Sequence, residues 1–369
     1  MIHWPGVGTY SRNLLSEFSK AHDLEIVCFC NSDGLDILPA AENFARVRLD
    51  QEVLSLRNLD RIGQTVNESG CDLFHAPYLA APGQLACPLL VTVHDTIPLL
   101  FRRNSLISKR REYQGMLFDA VKKADHIVTV SGSSQNDITS LLELPQSKVT
   151  VIHNGVSQEF GSAGKPEEKE ALLGKYQIRE PYILWLGTYV PHKNINSLLE
   201  AYALLPDALR SRYSLVLAGE KSGSWKEARR LAKKLRIAES VNQTGYIEKD
   251  DLPSLYAFAD LFCFPSTYEG FGLPPLEAMA SGTPVVCSNL SSLPEVVGDA
   301  GVLVEPEPST LSRAIADVLA DGNLRRQLSA KGRERVKKFT WDAAAARMID
   351  LYRGMAQTGG MWEPGSGNS

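Results

Sequence analysis

The sequence has few cysteines, no long apolar run and no strong excess of charge of either sign. Its six cysteines include no C-x-x-C pair, which disfavours a zinc site and favours a reducing compartment. No apolar run approaches the roughly 18 residues of a membrane-spanning helix. The start lacks the basic and then apolar layout of a signal peptide. Because the net charge is −4, there is no general attraction to nucleic acid. We therefore expect a cytoplasmic protein without a nucleic-acid partner.

Short apolar segments alternate with helix-length segments along the 369 residues. This alternation predicts parallel sheets with crossover helices, and six strand candidates in each half predict two doubly wound domains. The candidates are residues 24–30, 45–49, 73–76, 89–94, 126–130 and 149–152, then 182–186, 214–218, 241–245, 261–264, 284–287 and 301–304. The polar segment at 161–170 contains Gly and Pro and is predicted to connect the domains.

The most informative motif is YEGFGLPPLEAMASGTP at residues 268–284, which follows the apolar run at 261–264. Gly270 and Gly272 allow backbone angles that other residues avoid and leave room for a ligand. The two prolines after them suit a first helical turn. The segment thus predicts a strand, a glycine-rich loop and a helix N-terminus whose N–H groups and positive dipole end favour an anion.

Two carboxylates flank this loop, Glu269 before the glycines and Glu277 early in the helix. A carboxylate is a good double acceptor for sugar hydroxyls. Taken singly, Glu277 is also explained as a first-turn acid favoured by the helix dipole, and Glu269 as a surface acid. The spacing Glu-x7-Glu around GFGLPP disfavours both structural explanations.

This motif resembles the nucleotide-sugar signature of the retaining glycosyltransferases of family 4. The resemblance implies the α/β GT-B architecture of two doubly wound, Rossmann-like domains. It implies that Glu269 and the loop hold the donor hexose and that Glu277 holds the ribose. The loop residues that it assigns to donor binding are Gly270, Phe271, Gly272 and Leu273.

A second strand-to-loop segment, YILWLGTYVPHKN at 182–194, ends with the cation of Lys193. A diphosphate leaving group gains negative charge as the glycosidic bond breaks, and a positioned cation stabilises it. The alternative is a solvated loop lysine. The segment resembles the G-T-x-x-P-R-K-N loop of the family, which implies phosphate contacts for Gly187 and Lys193. His192 replaces the Arg of that pattern, so a neutral imidazole would remove one fixed positive charge.

The first half carries weaker signals at residues 90–98, LVTVHDTIP, and at the turn Gly6-Val7-Gly8. His94 lies at the end of a predicted strand. One interpretation is structural, with the imidazole hydrogen-bonded to the backbone. The other comes from the resemblance: the family has a comparable strand-end histidine near the reacting sugar, which implies a catalytic role for His94. The family also implies that Gly8 approaches the diphosphate and that the backbone of Ile247, in the second half, lines the nucleotide base.

The sequence contains no D-x-D pair, with which many glycosyltransferases hold a divalent metal against the diphosphate. Because Lys193 and helix N-termini offer positive charge instead, we expect a metal-independent enzyme with no metal site and no cofactor. The nucleotide sugar is then a substrate.

The start of the chain differs from the family pattern, in which an apolar first strand precedes the G-x-G-x-Y turn. Met1–Pro5 reaches less than half of a typical strand, so we expect the first strand to be missing. The resulting prediction is an N-terminal acceptor-side domain over 1–165, a nucleotide-sugar-binding domain over 171–338, a helix over 339–356 that crosses back to the first domain, and a disordered tail over 357–369.

The resemblance predicts a retaining hexosyltransferase of surface polysaccharide assembly. HDTIP and GTYVPHKN favour a bacterial mannosyltransferase-like enzyme, with GDP-mannose as first donor, UDP-glucose as second, and a glycan or lipid-linked acceptor. The alternatives are a nucleotide-sugar epimerase of the same architecture and a decayed, non-catalytic nucleotide-sugar binder. Seven cations lie at 102–123, interleaved with Leu106, Ile107, Met116, Leu117 and Phe118. They suggest peripheral contact with the inner face of an anionic membrane. The alternative is that they form a solvated helix face.

Overall fold

A computed structural model describes residues 6–31, 34, 38–49, 56–101, 107–162, 164, 166–221 and 223–360. The chain forms two compact units. The first unit contains Met1–Gly155 and Thr340–Ser369, and the second contains Val156–Phe339. The division therefore lies before the predicted connection at 161–170, where a helix begins at Pro166 inside the second unit.

The second unit contains one parallel sheet of six strands in the order β12-β11-β10-β7-β8-β9. Its strands are β7 (Tyr182–Leu186), β8 (Ser214–Ala218), β9 (Val241–Gly245), β10 (Leu261–Phe264), β11 (Val285–Ser288) and β12 (Val302–Val304). β8, β10 and β11 are buried along their whole length, as expected of parallel strands covered by helices on both faces. The six predicted strands of this half are confirmed, with shifts of one residue in β11 and β12.

The helices of the second unit connect these parallel strands. They are α6 (Pro166–Tyr176), α7 (Ile195–Ala203), α8 (Asp207–Arg212), α9 (Trp225–Lys234), α10 (Leu252–Ala257), α11 (Leu273–Ala280), α12 (Leu293–Val297), α13 (Pro308–Ala320) and α14 (Gly322–Arg335). α11 begins with the two prolines of the glycine-rich motif in its first turn, as predicted. Aromatic side chains fill the core of this unit, among them Trp185, Tyr202 and Phe262, each completely buried.

The described strands of the first unit form two parallel sheets rather than one. One sheet pairs β1 (Ile26–Cys30) with β2 (Phe44–Arg48). The other has the order β3-β4-β5-β6, with β3 (Phe74–Ala76), β4 (Leu89–Thr92), β5 (His126–Thr129) and β6 (Val149–Val151). All six predicted strands are present, most of them shorter than predicted. The first strand was predicted to be missing, with only residues 2–5 remaining of it, and these residues lie outside the described part of the chain.

The helices of the first unit are α1 (Val7–Phe18), α2 (Leu56–Ser69), α3 (Ile97–Leu100), α4 (Ile107–Lys123), α5 (Gly132–Leu141) and α15 (Trp341–Thr358). α15 packs on α1, with Trp341 against Tyr10 and Tyr352 against Phe18. The Thr340 hydroxyl caps α15 by accepting a hydrogen bond from the Ala343 N–H. Since α15 extends to Thr358, the predicted end at residue 356 and disorder from 357 are wrong for its last turn; residues 361–369 lie outside the description.

The basic segment at 102–123 maps onto α4 and the residues before it. Met116 and Leu117 are buried in the core of the first unit, so they do not belong to the predicted membrane face. Phe118 is 53% exposed, and Arg111 and Lys122 are also exposed. The other cations at 102–110 lie outside the residues whose side chains are described. Across the described chain, no helix is both long enough and apolar enough to cross a membrane.

Candidate functional site

The strand order of the second unit creates a crevice between β7 and β10. From β7 the chain proceeds to β8 and β9 on one side, and then returns to place β10, β11 and β12 on the other side. The loops after β7 and β10 therefore leave the sheet in opposite directions. In doubly wound sheets, ligands bind outside the carboxyl ends of the strands at such a reversal point. The loop after β7 carries Lys193, and the loop after β10 carries Glu269.

Lys193 and Glu269 form an ion pair at this reversal point. The Lys193 Nζ donates hydrogen bonds to both carboxylate oxygens of Glu269, at 2.7 and 2.9 Å. The Lys193 and Glu269 side chains are only 14% and 10% exposed. Lys193 Nζ also lies 5.1 Å from the ring centroid of Phe264, at the end of β10. The predicted leaving-group cation and the predicted sugar-binding carboxylate thus lie in direct contact.

Close backbone packing fixes the loop that carries Lys193. At Gly219, after β8, φ is +145° and a Cβ would lie 1.9 Å from the Gly187 carbonyl oxygen, so the two loops can approach only through glycine. On the other side, the Thr267 N–H donates to the His192 carbonyl at 2.7 Å. The position of Lys193 is therefore held by neighbours on both sides of the reversal point.

His192 lies beside Lys193 and is buried. Burial and the neighbouring positive charge of Lys193 lower the pKa of His192 to about 4. The imidazole is consequently neutral near pH 7. His192 therefore does not replace the fixed positive charge of the arginine that the family pattern has at this position.

The glycine-rich loop turns sharply into α11. Gly272 has φ +116°, and a Cβ there would lie 3.0 Å from Leu293 Cδ2, so the turn requires glycine. Two serine hydroxyls donate hydrogen bonds to backbone carbonyls of this loop. Ser291 donates to the Glu269 carbonyl at 2.7 Å, and Ser292 donates to the carbonyls of Glu269 and Phe271 at 3.0 and 2.6 Å. These bonds fix the backbone on which Glu269 is carried.

Glu277 accepts a hydrogen bond from the Tyr256 hydroxyl through its Oε2, at 2.9 Å. Burial raises the pKa of Glu277 to about 7, and the hydrogen bond from Tyr256 opposes that rise only in part. The carboxyl group is therefore near half protonation at neutral pH. A hydroxyl ligand that donates to it, as the family implies for a ribose, would favour the ionised form.

The first unit contains the other predicted residues, Gly8 and His94. His94 follows β4, and its Nε2 donates to the Pro77 carbonyl at 3.0 Å. Burial lowers the pKa of His94 to about 4. Gly8 lies in the first turn of α1, which also carries Tyr10, and the Tyr10 ring packs edge-on against His94 at 4.7 Å between centroids. The G-x-G-x-Y turn and the strand-end histidine therefore meet through Tyr10.

Sequence reasoning missed three residues that support the site. Ser291 and Ser292 anchor the glycine-rich loop, and Tyr256 bonds to Glu277. Tyr256 precedes the motif at 268–284, and Ser291 and Ser292 follow it. Serine and tyrosine are common in loops and cores, so nothing in the sequence connects them with the site. Ile247, predicted to line the base, is buried after β9.

Comparison with known proteins agrees with this architecture. The family model described as Glycosyltransferase Family 4 matches residues 4–160, and the one described as Glycosyl transferases group 1 matches residues 168–335. The O-antigen chain mannosyltransferase B of Escherichia coli is 32% identical over 366 residues, covering 94% of this chain and 96% of that protein. The chain belongs to the family 4 glycosyltransferases.

Solved structures show the fold of this glycosyltransferase. Sucrose-phosphate synthase of Thermosynechococcus elongatus aligns with a TM-score of 0.76 at 24% identity, covering 96% of this chain and 94% of that one. Anabaena HepE, solved in complex with UDP-glucose, aligns with a TM-score of 0.75 at 19% identity, covering 95% and 97%. The chain is a glycosyltransferase of the GT-B fold, as predicted.

Proposed function

We propose that this glycosyltransferase is a mannosyltransferase of surface polysaccharide assembly. The transferred hexose is mannose from GDP-mannose as the first choice and glucose from UDP-glucose as the second, and it passes to a glycan or lipid-linked acceptor. The Lys193–Glu269 pair at the reversal point of the sheet carries the proposal, because it combines a cation for a diphosphate with an acceptor for sugar hydroxyls. The full-length relative named a mannosyltransferase supports the choice of sugar.

The proposed reaction retains the anomeric configuration and uses no divalent metal. Lys193 and the N-terminus of α11 stabilise the negative charge that develops on the leaving diphosphate. Glu269 accepts hydrogen bonds from the hexose and Glu277 from the ribose. The leaving phosphate helps to take the proton of the acceptor hydroxyl as the new glycosidic bond forms. In this scheme, Gly8 approaches the diphosphate and His94 acts near the reacting sugar as a neutral imidazole.

A peripheral position on the inner face of an anionic membrane completes the proposal. Exposed Phe118, Arg111 and Lys122 on α4 support it, because an exposed aromatic ring beside cations is typical of interfacial helices. Such a position would bring the enzyme to a lipid-linked acceptor.

A thermal-shift screen of GDP, UDP and their mannose and glucose conjugates tests the donor, since a ligand that binds only the native state raises its stability. We expect the largest shift with GDP-mannose and a smaller one in Glu277→Ala. Product NMR then reports the anomeric configuration, with EDTA present in a parallel reaction. A β-linked product from an α-linked donor, or complete loss of turnover in EDTA, would contradict the proposed mechanism.

A further inference from the structure

The sheet of the second unit has a second concave surface at the opposite end from Lys193 and Glu269. A pocket of about 480 Å³ lies at the amino ends of β10 and β11, where Asp260 and Pro284 precede these strands. α14 forms its other wall. Because the crevice described above lies at the carboxyl ends of the same strands, this pocket is separate from it.

Three arginines of α14 line this pocket, Arg325, Arg326 and Arg333. Arg326 and Arg333 are seven positions apart, so both lie on nearly the same helix face with a rise of about 10 Å between them. Ser329 lies between them in sequence and also lines the pocket. The guanidinium of Arg333 packs over Gly282, where a Cβ would lie 2.0 Å from Nη2. The absence of a side chain at Gly282, which also has φ +80°, makes room for this guanidinium.

The positive charge of the pocket is poorly compensated within the described structure. Arg325, Arg326 and Arg333 line it, and none of the three forms an ion pair with a described carboxylate. The hydrogen bonds that these arginines donate go to neutral oxygens. Arg325 donates to the Tyr213 hydroxyl at 3.0 Å and to the Leu319 carbonyl at 3.3 Å. Arg326 donates to Asn323 Oδ1, and Arg333 donates to the Ser281 carbonyl at 3.5 Å.

Two carboxylates lie close to this pocket. Asp260 lines it, and one of its oxygens accepts the Tyr182 N–H at 3.2 Å. Asp321 caps α14 and accepts the N–H groups of Asn323 and Leu324. Both carboxylates therefore already have backbone donors. Three guanidinium groups and one carboxylate line the pocket, and this excess of positive charge favours an anionic ligand.

We propose that this pocket binds a small anion that carries two phosphate groups. Guanidinium groups form paired hydrogen bonds with phosphate oxygens, and the three arginines that line the pocket supply these donors. Arg326 and Arg333 enter the pocket from positions two helical turns apart, and a ligand with two phosphate groups offers a separate set of acceptor oxygens to each guanidinium. The site is independent of the proposed mannosyltransferase reaction.

Calorimetric titration with inorganic pyrophosphate, without metal and in 0.15 M salt, tests this site. The titration uses Lys193→Ala as background, in which diphosphate binding at the first site is weakened. We expect pyrophosphate to bind this variant, and inorganic phosphate to bind it less tightly. Adding Arg326→Gln and Arg333→Gln should reduce the pyrophosphate affinity about tenfold or more. The control adds Arg230→Gln and Lys234→Gln, which remove two exposed cations of α9 that do not line the pocket.

A third variant guards against loss of folding. Ser329→Glu keeps both arginines and places a carboxylate between them, and it should also abolish pyrophosphate binding while the melting temperature stays near that of the parent. Equal losses of affinity in the pocket and α9 variants would overturn the proposal, because they would indicate general charge attraction. Absence of pyrophosphate binding to Lys193→Ala would overturn it too, since all binding would then belong to the first site.

Discussion

The ammonium group of Lys193 contacts both carboxylate oxygens of Glu269, although the two residues are 76 positions apart in the chain. Both side chains are largely buried. Removing one partner of such a pair leaves an uncompensated charge with few water contacts, which is strongly destabilising. Each of the two proposed donor-site charges therefore depends on the other before any ligand binds.

Lys193→Ala should lower both stability and turnover. The loss of leaving-group stabilisation should reduce kcat/KM by about 100-fold, mostly in kcat, and the isolated Glu269 should cost about 2–4 kcal/mol in the free energy of unfolding. Steady-state kinetics and urea unfolding measure the two effects. A kcat/KM within about twofold of the parent would contradict the assigned role.

The double variant Lys193→Met/Glu269→Gln separates these two effects. With both charges gone, its free energy of unfolding should recover toward that of the parent, while its activity should stay as low as in Lys193→Ala. Lys175→Ala serves as the control, because Lys175 and Asp251 are 52% and 26% exposed and their ion pair should contribute less to stability than the buried one. A double variant that remains as unstable as the single one would argue against coupling between the two charges.

The raised pKa of Glu277 predicts a pH dependence of stability. Its pKa is about 7 in the folded chain against an ordinary value of 4.5, so the folded protein binds more protons than the unfolded one between these pH values. The protonated Glu277 therefore stabilises the folded state below pH 4.5. As the pH rises from 4.5 through 7, this contribution is lost and the free energy of unfolding falls by up to about 3 kcal/mol. Urea unfolding at several pH values should show this fall in the parent and a flatter profile in Glu277→Gln.

The same titration should affect donor binding in the opposite direction. Ionised Glu277 accepts hydroxyl donors better than the protonated form, so nucleotide affinity should increase as the pH passes through 7. Tyr256→Phe removes a hydrogen bond that lowers the pKa of Glu277 and should shift this increase to higher pH. A pH-independent affinity ratio between parent and Glu277→Gln would rule out this role for the carboxyl group.

Ser292→Ala should loosen the glycine-rich loop. The substitution removes hydrogen bonds to the carbonyls of Glu269 and Phe271, which should cost about 1–3 kcal/mol in unfolding free energy and lower kcat/KM about tenfold. Ser214→Ala is the control, because its buried hydroxyl donates to the Arg179 carbonyl at the other end of the sheet. The control should lose stability but keep kcat/KM, and equal kinetics in both variants would contradict the positioning role.

Membrane attachment should depend on α4. In co-sedimentation at low salt, anionic vesicles should retain more of the protein than neutral ones, and high salt should release it, since each cation near such a surface contributes about 1 kcal/mol. Replacing Arg111 and Lys122 by Gln and Phe118 by Ser should reduce retention more than Arg230→Gln/Lys234→Gln on α9. Equal retention by anionic and neutral vesicles would show that this face is only a solvated surface.

Local patterns were sufficient to predict the fold class and the elements that carry the site. Segments of four to seven residues predicted every strand from β1 to β12, most clearly for the apolar strands β4, β5, β8, β10 and β11, which are buried along their whole length. The glycine and proline positions of the motif predicted the turn at Gly272 and the start of α11, because backbone angles there depend on the residues themselves.

Boundaries were harder to predict than elements. The segment at 161–170 was predicted to link the domains because it is polar, yet α6 begins within it and the division lies at Gly155. At Gly155 a Cβ would lie 2.2 Å from the Trp341 N, an approach that depends on a segment far along the chain. Polarity records exposure to water, whereas a domain boundary is decided by which contacts the chain makes on either side.

The sequence by itself determined the chemistry of the site: a lysine after β7, two carboxylates around a glycine-rich turn, and a helix start that favours an anion. Tertiary structure alone decided that Lys193 pairs with Glu269, that Ser292 holds the loop and that Tyr256 contacts Glu277. The order of the strands places β7 beside β10 and so joins segments that are far apart in the chain. Burial then turns these contacts into shifted pKa values and coupled charges, since desolvation depends on the whole surrounding structure.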